Sequence, residues 1–267
     1  MRIDGAHILV TGASSGIGQA LAPMLAARGA TVGIAARREE RLRETLALCQ
    51  EHAPASRMWV VDLSDVDAAV QLVHDTWDAF GSLDCLVNNA ALGKRKVVTD
   101  HTPEDLEVVM RTNFMSPIRM NLAVLPLMLE RGSGTIVNVA SGGGRFGIVH
   151  ESAYCAAKFA MSGWSEVAAM DLADTPIEVK LIQPGAIATE IWVPAPGELP
   201  GLPGAEFATT PQCAAGIVEA LETDGVEFFV PAELKAHVDM KNADLQGWID
   251  LMVSLGHAKE LPTDAGM

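Results

Sequence analysis

Tyrosine is nearly absent from this chain: among 267 residues there is one, Tyr154. Cations are also scarce, 19 Lys and Arg against 34 Asp and Glu, for a formal charge of −15. Such an acidic surface disfavours nucleic acid as a partner, because phosphate binding needs a basic footprint. It disfavours anionic membrane surfaces for the same reason. Cysteine is sparse too: Cys49, Cys85, Cys155 and Cys213 are scattered and form no C-x-x-C pair. This spacing makes no disulfide framework for a domain of this size, so reduced thiols in a cytoplasmic protein are expected. No stretch approaches the roughly 20 apolar residues of a membrane span. The apolar run from Ile8 is too short for a signal peptide. Hydrophobic residues, at 49%, are ample for a core and argue against disorder. The length suits one large α/β domain or two small ones.

Short β-like runs alternate with longer helical patterns. Strands are predicted at 7–10, 31–35, 58–61, 83–87, 135–139, 178–182 and 227–230. Helices are predicted at 18–28, 39–51, 66–80, 152–173 and 211–221, with a long pattern over 103–131 that Pro117 and Pro126 could interrupt. This alternation implies right-handed crossovers and a doubly wound, mostly parallel sheet of about seven strands with helices on both faces. Residues 1–230 form the expected catalytic domain. From Pro184 to Pro211 the chain is rich in Pro and Gly, a long loop of the kind that forms lids and binding loops. Its substrate-facing part is placed at about 186–210. The tail, 231–267, carries Leu245, Trp248, Ile249, Met252 and Leu255 at a spacing that gives one apolar helix face.

Gly12, Ser14, Ser15, Gly16, Ile17 and Gly18 follow the first strand and open the first helix. Glycines let the backbone turn tightly and approach a ligand closely. A helix N-terminus offers free N–H groups to a pyrophosphate. The spacing is G-x-x-x-G-x-G rather than G-x-G-x-x-G. An acidic residue ending the second strand would bind the ribose of NAD. Here Arg37 and Arg38 stand in that place, and guanidinium suits a 2′-phosphate, so NADP(H) is the expected cofactor, with NAD(H) as the alternative. The bland alternative is a solvated helix start paired with Glu39 and Glu40.

Tyr154 and Lys158 are four residues apart, which on a helix places both side chains on one face. A cation beside a phenol favours the phenolate and lowers the phenol's pKa from about 10. A phenol so tuned can give or take a proton near neutral pH.

With the glycine turn, Asn88-Asn89-Ala90-Ala91 and Tyr154-x-x-x-Lys158 in this order, the chain resembles the short-chain dehydrogenase/reductase family over roughly residues 5–230. The resemblance implies a single Rossmann-like domain. It implies reversible hydride transfer between a nicotinamide and a ketone, aldehyde or alcohol. Asp62 and Leu63 match the adenine contact; Asn89, Ala90 and Ala91 match the N-N-A-G segment, with Ala91 in place of the usual glycine. Pro184, Gly185, Ile187 and Thr189 fall in the segment that holds the carboxamide. Ser141, Tyr154, Lys158 and Asn113 match the catalytic tetrad. In that scheme Tyr154 exchanges a proton with the carbonyl oxygen and Ser141 fixes that oxygen. Lys158 holds the ribose and biases Tyr154 toward ionisation, and Asn113 anchors a water linking Lys158 to solvent. Family members are commonly dimers or tetramers, so a homo-oligomer is expected.

Residues 142–152 and the Pro/Gly-rich loop are largely apolar, with Phe146, Ile148, Trp192, Leu199 and Leu202 among them. A fairly apolar ketone or secondary alcohol is the expected substrate, touched by Ser141, Gly143, His150, Tyr154 and Trp192. Lys94-Arg95-Lys96 would either attract an anionic substrate group or be a solvated loop. A cofactor sensor or scaffold without chemistry, and a nucleotide-sugar epimerase or dehydratase, are the competing classes. The first would be expected to lack a catalytic group; the second usually needs a longer chain.

Overall fold

The computed structural model describes residues 1–201 and 206–256; Leu202, Pro203 and Gly204 of the loop lie outside them, as do residues 257–267 of the tail. Seven strands form one sheet, every pairing parallel. They are β1 (His7–Thr11), β2 (Thr31–Ala36), β3 (Arg57–Val60), β4 (Cys85–Asn88), β5 (Gly134–Val139), β6 (Ile177–Pro184) and β7 (Glu227–Val230). Their order is β3-β2-β1-β4-β5-β6-β7. The chain builds outward from β1 to β3 and then returns to the other side of β1. The switch between β1 and β4 opens a crevice at the carboxyl ends of the strands, where sheets of this kind bind ligands.

The central strands are buried along nearly their whole length, as strands covered on both faces must be. Helices α1 (Gly16–Ala27), α2 (Glu39–Gln50) and α7 (Thr210–Glu222) supply or pack on the core of one face, with Leu21, Leu25, Leu42 and Ile217 inside it. The opposite face is covered by α3 (Val66–Phe80), α5 (Ser116–Arg131) and α6 (Ser152–Asp171), with Leu72, Val73, Met120, Val124, Met128 and Met161 buried there. The boundaries follow local chemistry. Asp65 caps α3 by accepting from the Asp67 and Ala68 N–H groups, and Gly81 ends it at φ +77°.

The long pattern over 103–131 resolves into α4 (Pro103–Met110), a π-helical turn (Arg111–Met115) and α5. The irregularity lies just before Pro117, which has no N–H to bond the Asn113 carbonyl four residues back. Pro126 sits inside α5 without ending it. Among the described residues the tail holds two helices rather than one, α8 (Leu234–Ala243) and α9 (Leu245–Gly256). Only α9 carries the strong apolar periodicity, which is why α8 was not legible.

Candidate active site

A cavity of about 1130 Å³ opens at the carboxyl edge of the sheet, from the glycine turn to the tail. The turn is cornered by glycines for steric reasons. Gly12 has φ +71°, and a Cβ there would lie 2.8 Å from Ala90 Cα. A Cβ on Gly18 would lie 2.6 Å from the Gly12 carbonyl oxygen, so Gly18 packs the turn from behind and does not line the cavity. Ser15, at the N-cap of α1, makes no side-chain cap bond, whereas Asp65, Thr102 and Thr209 cap α3, α4 and α7. The first N–H groups of α1 therefore face the cavity without a side-chain acceptor, a fit for a pyrophosphate. The β4 loop is tied to β1: Asn89 Nδ2 donates to the Thr11 carbonyl at 2.8 Å, and Thr11 Oγ1 accepts from the Asn89 and Ala90 N–H groups. Thr11 opens the glycine turn in the sequence, but its tie to the β4 loop was not legible there.

Gly12, Ser14, Ser15, Gly16, Ile17, Arg37, Arg38, Asp62, Leu63, Asn89, Ala90 and Ala91 all line the cavity, and so do Pro184, Gly185, Ile187 and Thr189. Arg38 donates to Ser15 Oγ at 2.6 Å and to Glu190 at 2.5 Å. Arg37 stands 4.0 Å from Asp62, whose carboxyl is held below its ordinary range chiefly by the Ser64 N–H. Glu39 pairs with Arg43 instead of with either arginine, so the bland pairing expected there does not form.

Ser141 follows β5. Its hydroxyl oxygen accepts from the Gly143 N–H at 3.1 Å, and its own N–H donates to Gln183 Oε1 at 3.1 Å. Buried Gln183 also donates to Ser162 and Glu227, which fixes it as the support behind Ser141. Tyr154 and Lys158 lie one turn apart on α6, both on the cavity wall with Ser141. Lys158 is 2% exposed, its Nζ donates to the Val139 carbonyl at 2.8 Å, and it stands 5.6 Å from the Tyr154 ring centre.

The expected downward shift of the Tyr154 phenol is not what this structure produces. Burial pushes the phenol up, against a smaller lowering from its hydrogen bond with Ser141. Burial also brings Lys158 down to about 7, so near neutrality this lysine is only partly charged and gives the phenol little help.

Two expectations are corrected, those for His150 and for the basic run, and Asn113 lies behind the cavity wall. Asn113 is fully buried and does not line the cavity: its Nδ2 donates to the Leu92 carbonyl at 2.8 Å and its Oδ1 accepts from the Leu92 N–H at 2.9 Å. Both ends of the amide are therefore taken, and Leu92 faces the cavity in its place. His150 is not on the wall either; its backbone is left-handed at φ +64° and its carbonyl accepts from the Lys96 N–H. The basic run 94–96 is neither solvated nor a free anion trap. Arg95 is 3% exposed, bonds buried Glu151 at 2.5 Å, donates to the Ile191 carbonyl and lies 4.8 Å from the Trp192 ring centre. Lys94 pairs with Glu198 at 3.1 Å and Lys96 with Asp105 at 2.5 Å.

The other half of the cavity has Gly143, Phe146, Ile148, Leu92 and Trp192 on its walls, and the tail completes it with Leu234, Trp248, Leu251, Met252 and Leu255. Trp248 is 4% exposed, packs 4.7 Å from Phe146 and donates to the Gly147 carbonyl at 2.9 Å. Sequence periodicity marked this face of α9 but gave no hint of its partner a hundred residues earlier. All four cysteines are buried and free, and burial raises the Cys49, Cys155 and Cys213 thiols to about 12. Among the described residues no helix is long and apolar enough to cross a membrane.

Comparison with known proteins bears on the family and the fold. Residues 6–198 match the family model described as short chain dehydrogenase. The 3-ketodihydrosphingosine reductase of Bacteroides thetaiotaomicron is 36% identical over 182 residues, 68% of this chain and 64% of that protein. The chain thus aligns with less than two thirds of that relative's length. Among solved structures, a short chain dehydrogenase/reductase from Burkholderia phymatum in complex with NAD superposes with a TM-score of 0.81 at 22% identity, covering 100% of this chain and 99% of that one. An alcohol dehydrogenase from the archaeon Thermococcus sibiricus, complexed with 5-hydroxy-NADP, gives 0.74 at 22% identity, covering 85% and 96%. These two likenesses speak to the fold. The chain belongs to the short-chain dehydrogenase/reductase family.

Proposed function

We propose that this member of the family is an NADP(H)-dependent oxidoreductase that interconverts an apolar ketone and its secondary alcohol, with Tyr154 as acid and base. The observation that carries the reading is the shared wall on which Ser141, Tyr154 and Lys158 meet beside an uncapped helix N-terminus. A relative that reduces a ketone, named for its 3-keto substrate, supports the direction of carbonyl chemistry. When bound, the nicotinamide supplies or accepts the hydride.

The chain's own residues do the rest. Ser141, its oxygen lone pair engaged by the Gly143 N–H, turns its hydroxyl proton toward the substrate oxygen and fixes it. Tyr154 gives that oxygen a proton in reduction and takes it back in oxidation. Lys158, offered ribose oxygens as acceptors, retains its proton, and the resulting ammonium draws the phenol down from its raised ligand-free value. Asn113 acts through Leu92, setting the loop beside the nicotinamide side of the cavity. The Asn113 carbonyl, which cannot be bonded by Pro117, is the atom through which this residue would hold a water. Arg38 is the proposed 2′-phosphate contact, with Ser14 and Ser15 beside it.

Residues 1–230 act as the catalytic domain and α8 and α9 as its substrate wall. The protein would assemble as a homodimer or homotetramer through α5 and α6, whose outer faces expose Leu122, Leu129, Val167 and Met170. A sensor or scaffold role is disfavoured by the intact Ser141, Tyr154 and Lys158 wall.

The test is steady-state oxidation of NADPH and NADH across a panel of carbonyl compounds, by wild type and Arg38→Ala. The expected result is an NADPH-to-NADH efficiency ratio above one that drops at least tenfold in the variant. A wild-type ratio below one would remove the NADP(H) preference. No turnover with any apolar ketone would remove the proposed substrate class.

A further inference from the structure

The three side-chain nitrogens of Arg38 all have partners. Nε reaches Ser14 Oγ at 3.4 Å, Nη2 donates to Ser15 Oγ at 2.6 Å, and Nη1 donates to Glu190 Oε2 at 2.5 Å. Arg41, one turn further along α2, donates to the other oxygen of the same carboxylate. Glu190 comes from far away in sequence, from the short 3₁₀ turn Glu190–Trp192 in the Pro/Gly-rich loop. One carboxylate thus bridges two guanidinium groups at the edge of the glycine turn, the arrangement of charge that a phosphate would adopt there.

We infer that Glu190 is a cofactor-discriminating residue, an internal anion that occupies the guanidinium fork of Arg38 and Arg41 and competes with the 2′-phosphate of NADP(H). The inference rests on the assignment of Arg38 to that phosphate. The charges set its sign. Arg38, Arg41 and Glu190 together carry a net single positive charge, while Arg37 faces Asp62. A phosphate monoester brings about −1.5 to −2. It therefore meets one net cation while Glu190 stays, and two once Glu190 is displaced. Hydrogen bonds from Arg38 and then Arg41 hold the Glu190 carboxyl below its ordinary range, so it is ionised at neutral pH and competes as an anion.

Magnitude decides whether displacement is feasible. The side chains of Arg38, Arg41 and Glu190 are 44–47% exposed. Exposed pairs of this kind are weak and screened by salt. A phosphate that accepts from the same fork can replace the carboxylate, but with reduced affinity. An unphosphorylated ribose has no charge with which to compete, so it gains nothing from displacing Glu190. The loop position adds a consequence. Thr189 packs over Gly16, and the next residues, Ile191 and Trp192, are held by Arg95 on the substrate side. Glu190 is thus the point at which the loop is fastened to the cofactor side.

The test is calorimetric titration of wild type, Glu190→Gln and Arg38→Ala with adenosine 2′,5′-bisphosphate and with adenosine 5′-monophosphate. Glu190→Gln keeps the side chain's shape and removes its charge. The expected result is bisphosphate bound about fivefold more tightly by Glu190→Gln, with the monophosphate changed less than about twofold. Unchanged or weaker bisphosphate binding overturns the inference, and so does an equal gain for both ligands, which would mean only a general loss of negative charge. The Arg38→Ala arm separates this from the parent reading. If wild type prefers the bisphosphate and Arg38→Ala loses that preference while Glu190→Gln changes nothing, only the role of Glu190 falls. If wild type shows no preference for the bisphosphate, the phosphate site itself falls and the role of Glu190 with it.

Discussion

The glycine-turn half and the tail-side half of the cavity, the proposed cofactor and substrate halves, are built from different distances along the chain. The first uses turns that directly follow β1, β2, β3 and β4, each a few residues past its strand, with Gly12 and Gly16 making close backbone approach possible. The second gathers Phe146 and Ile148 after β5, Trp192 from the long loop and Trp248 from the tail, held together by side-chain contacts and by the buried Arg95–Glu151 pair. Where the backbone makes a site, the requirement falls on glycines and short spacings. Where side chains from remote segments make it, the requirement falls on shape and on charge pairing. Tyr154 and Ser141 lie at the seam.

Substitutions can break or sharpen this contrast, and the largest effect is expected at the seam. Tyr154→Phe should lower turnover about 10²–10⁴-fold, the usual contribution of a positioned acid–base group, while dinucleotide binding measured by thermal shift persists. On the substrate side, Arg95→Ala leaves the Glu151 carboxylate buried without its partner. A stability loss of about 3–5 kcal/mol is expected by denaturant titration, with part of it restored by adding Glu151→Gln. A milder response would mean that the pair is not what holds that half together.

On the cofactor side, Gly12→Ala puts a methyl 2.8 Å from Ala90 Cα in a left-handed conformation. It should cost about 1–3 kcal/mol of stability and weaken dinucleotide binding, without altering selectivity among carbonyl substrates. Lys158 gives a pH signature. Its folded pKa of about 7 lies below the ordinary 10.5, so the unfolded chain binds more protons between those values. Stability of the ligand-free protein should therefore rise with pH above about 7, by up to ~1.4 kcal/mol per pH unit. The difference between wild type and Lys158→Met, followed from pH 7 to about pH 9, isolates this contribution, because the thiols and the phenol contribute alike to both proteins. A flat difference would show that Lys158 is fully charged in the free protein. The smallest effect is expected from Lys94→Gln with Lys96→Gln, about 0–1 kcal/mol, with acidic and neutral substrates affected alike, since Glu198 and Asp105 already neutralise both lysines.

The same contrast explains what could be read from the sequence. The parallel sheet, its seven strands and nearly all residues lining the glycine-turn side of the cavity were legible because alternating apolar runs and a glycine turn are local signals. Ser141, Tyr154 and Lys158 were legible because one turn of α6 and the end of β5 place them. The Arg95–Glu151 pair, Gln183 behind Ser141 and the Arg38–Glu190 bridge were not, since each joins residues tens to more than a hundred positions apart. For the ligand-free phenol, spacing reports a neighbouring cation but not the burial that discharges it. His150 was misplaced because its left-handed backbone takes it off the face that a helical count of four from Tyr154 would assign.

The most direct test of the account is a pH titration of phenolate absorbance, since a single tyrosine makes the signal that of Tyr154 alone. A transition above the ordinary value of about 10 is expected in the ligand-free protein, moving below it when NADP(H) is bound. A transition at or above the ordinary value with the dinucleotide bound would contradict Tyr154 as the proton-transfer group.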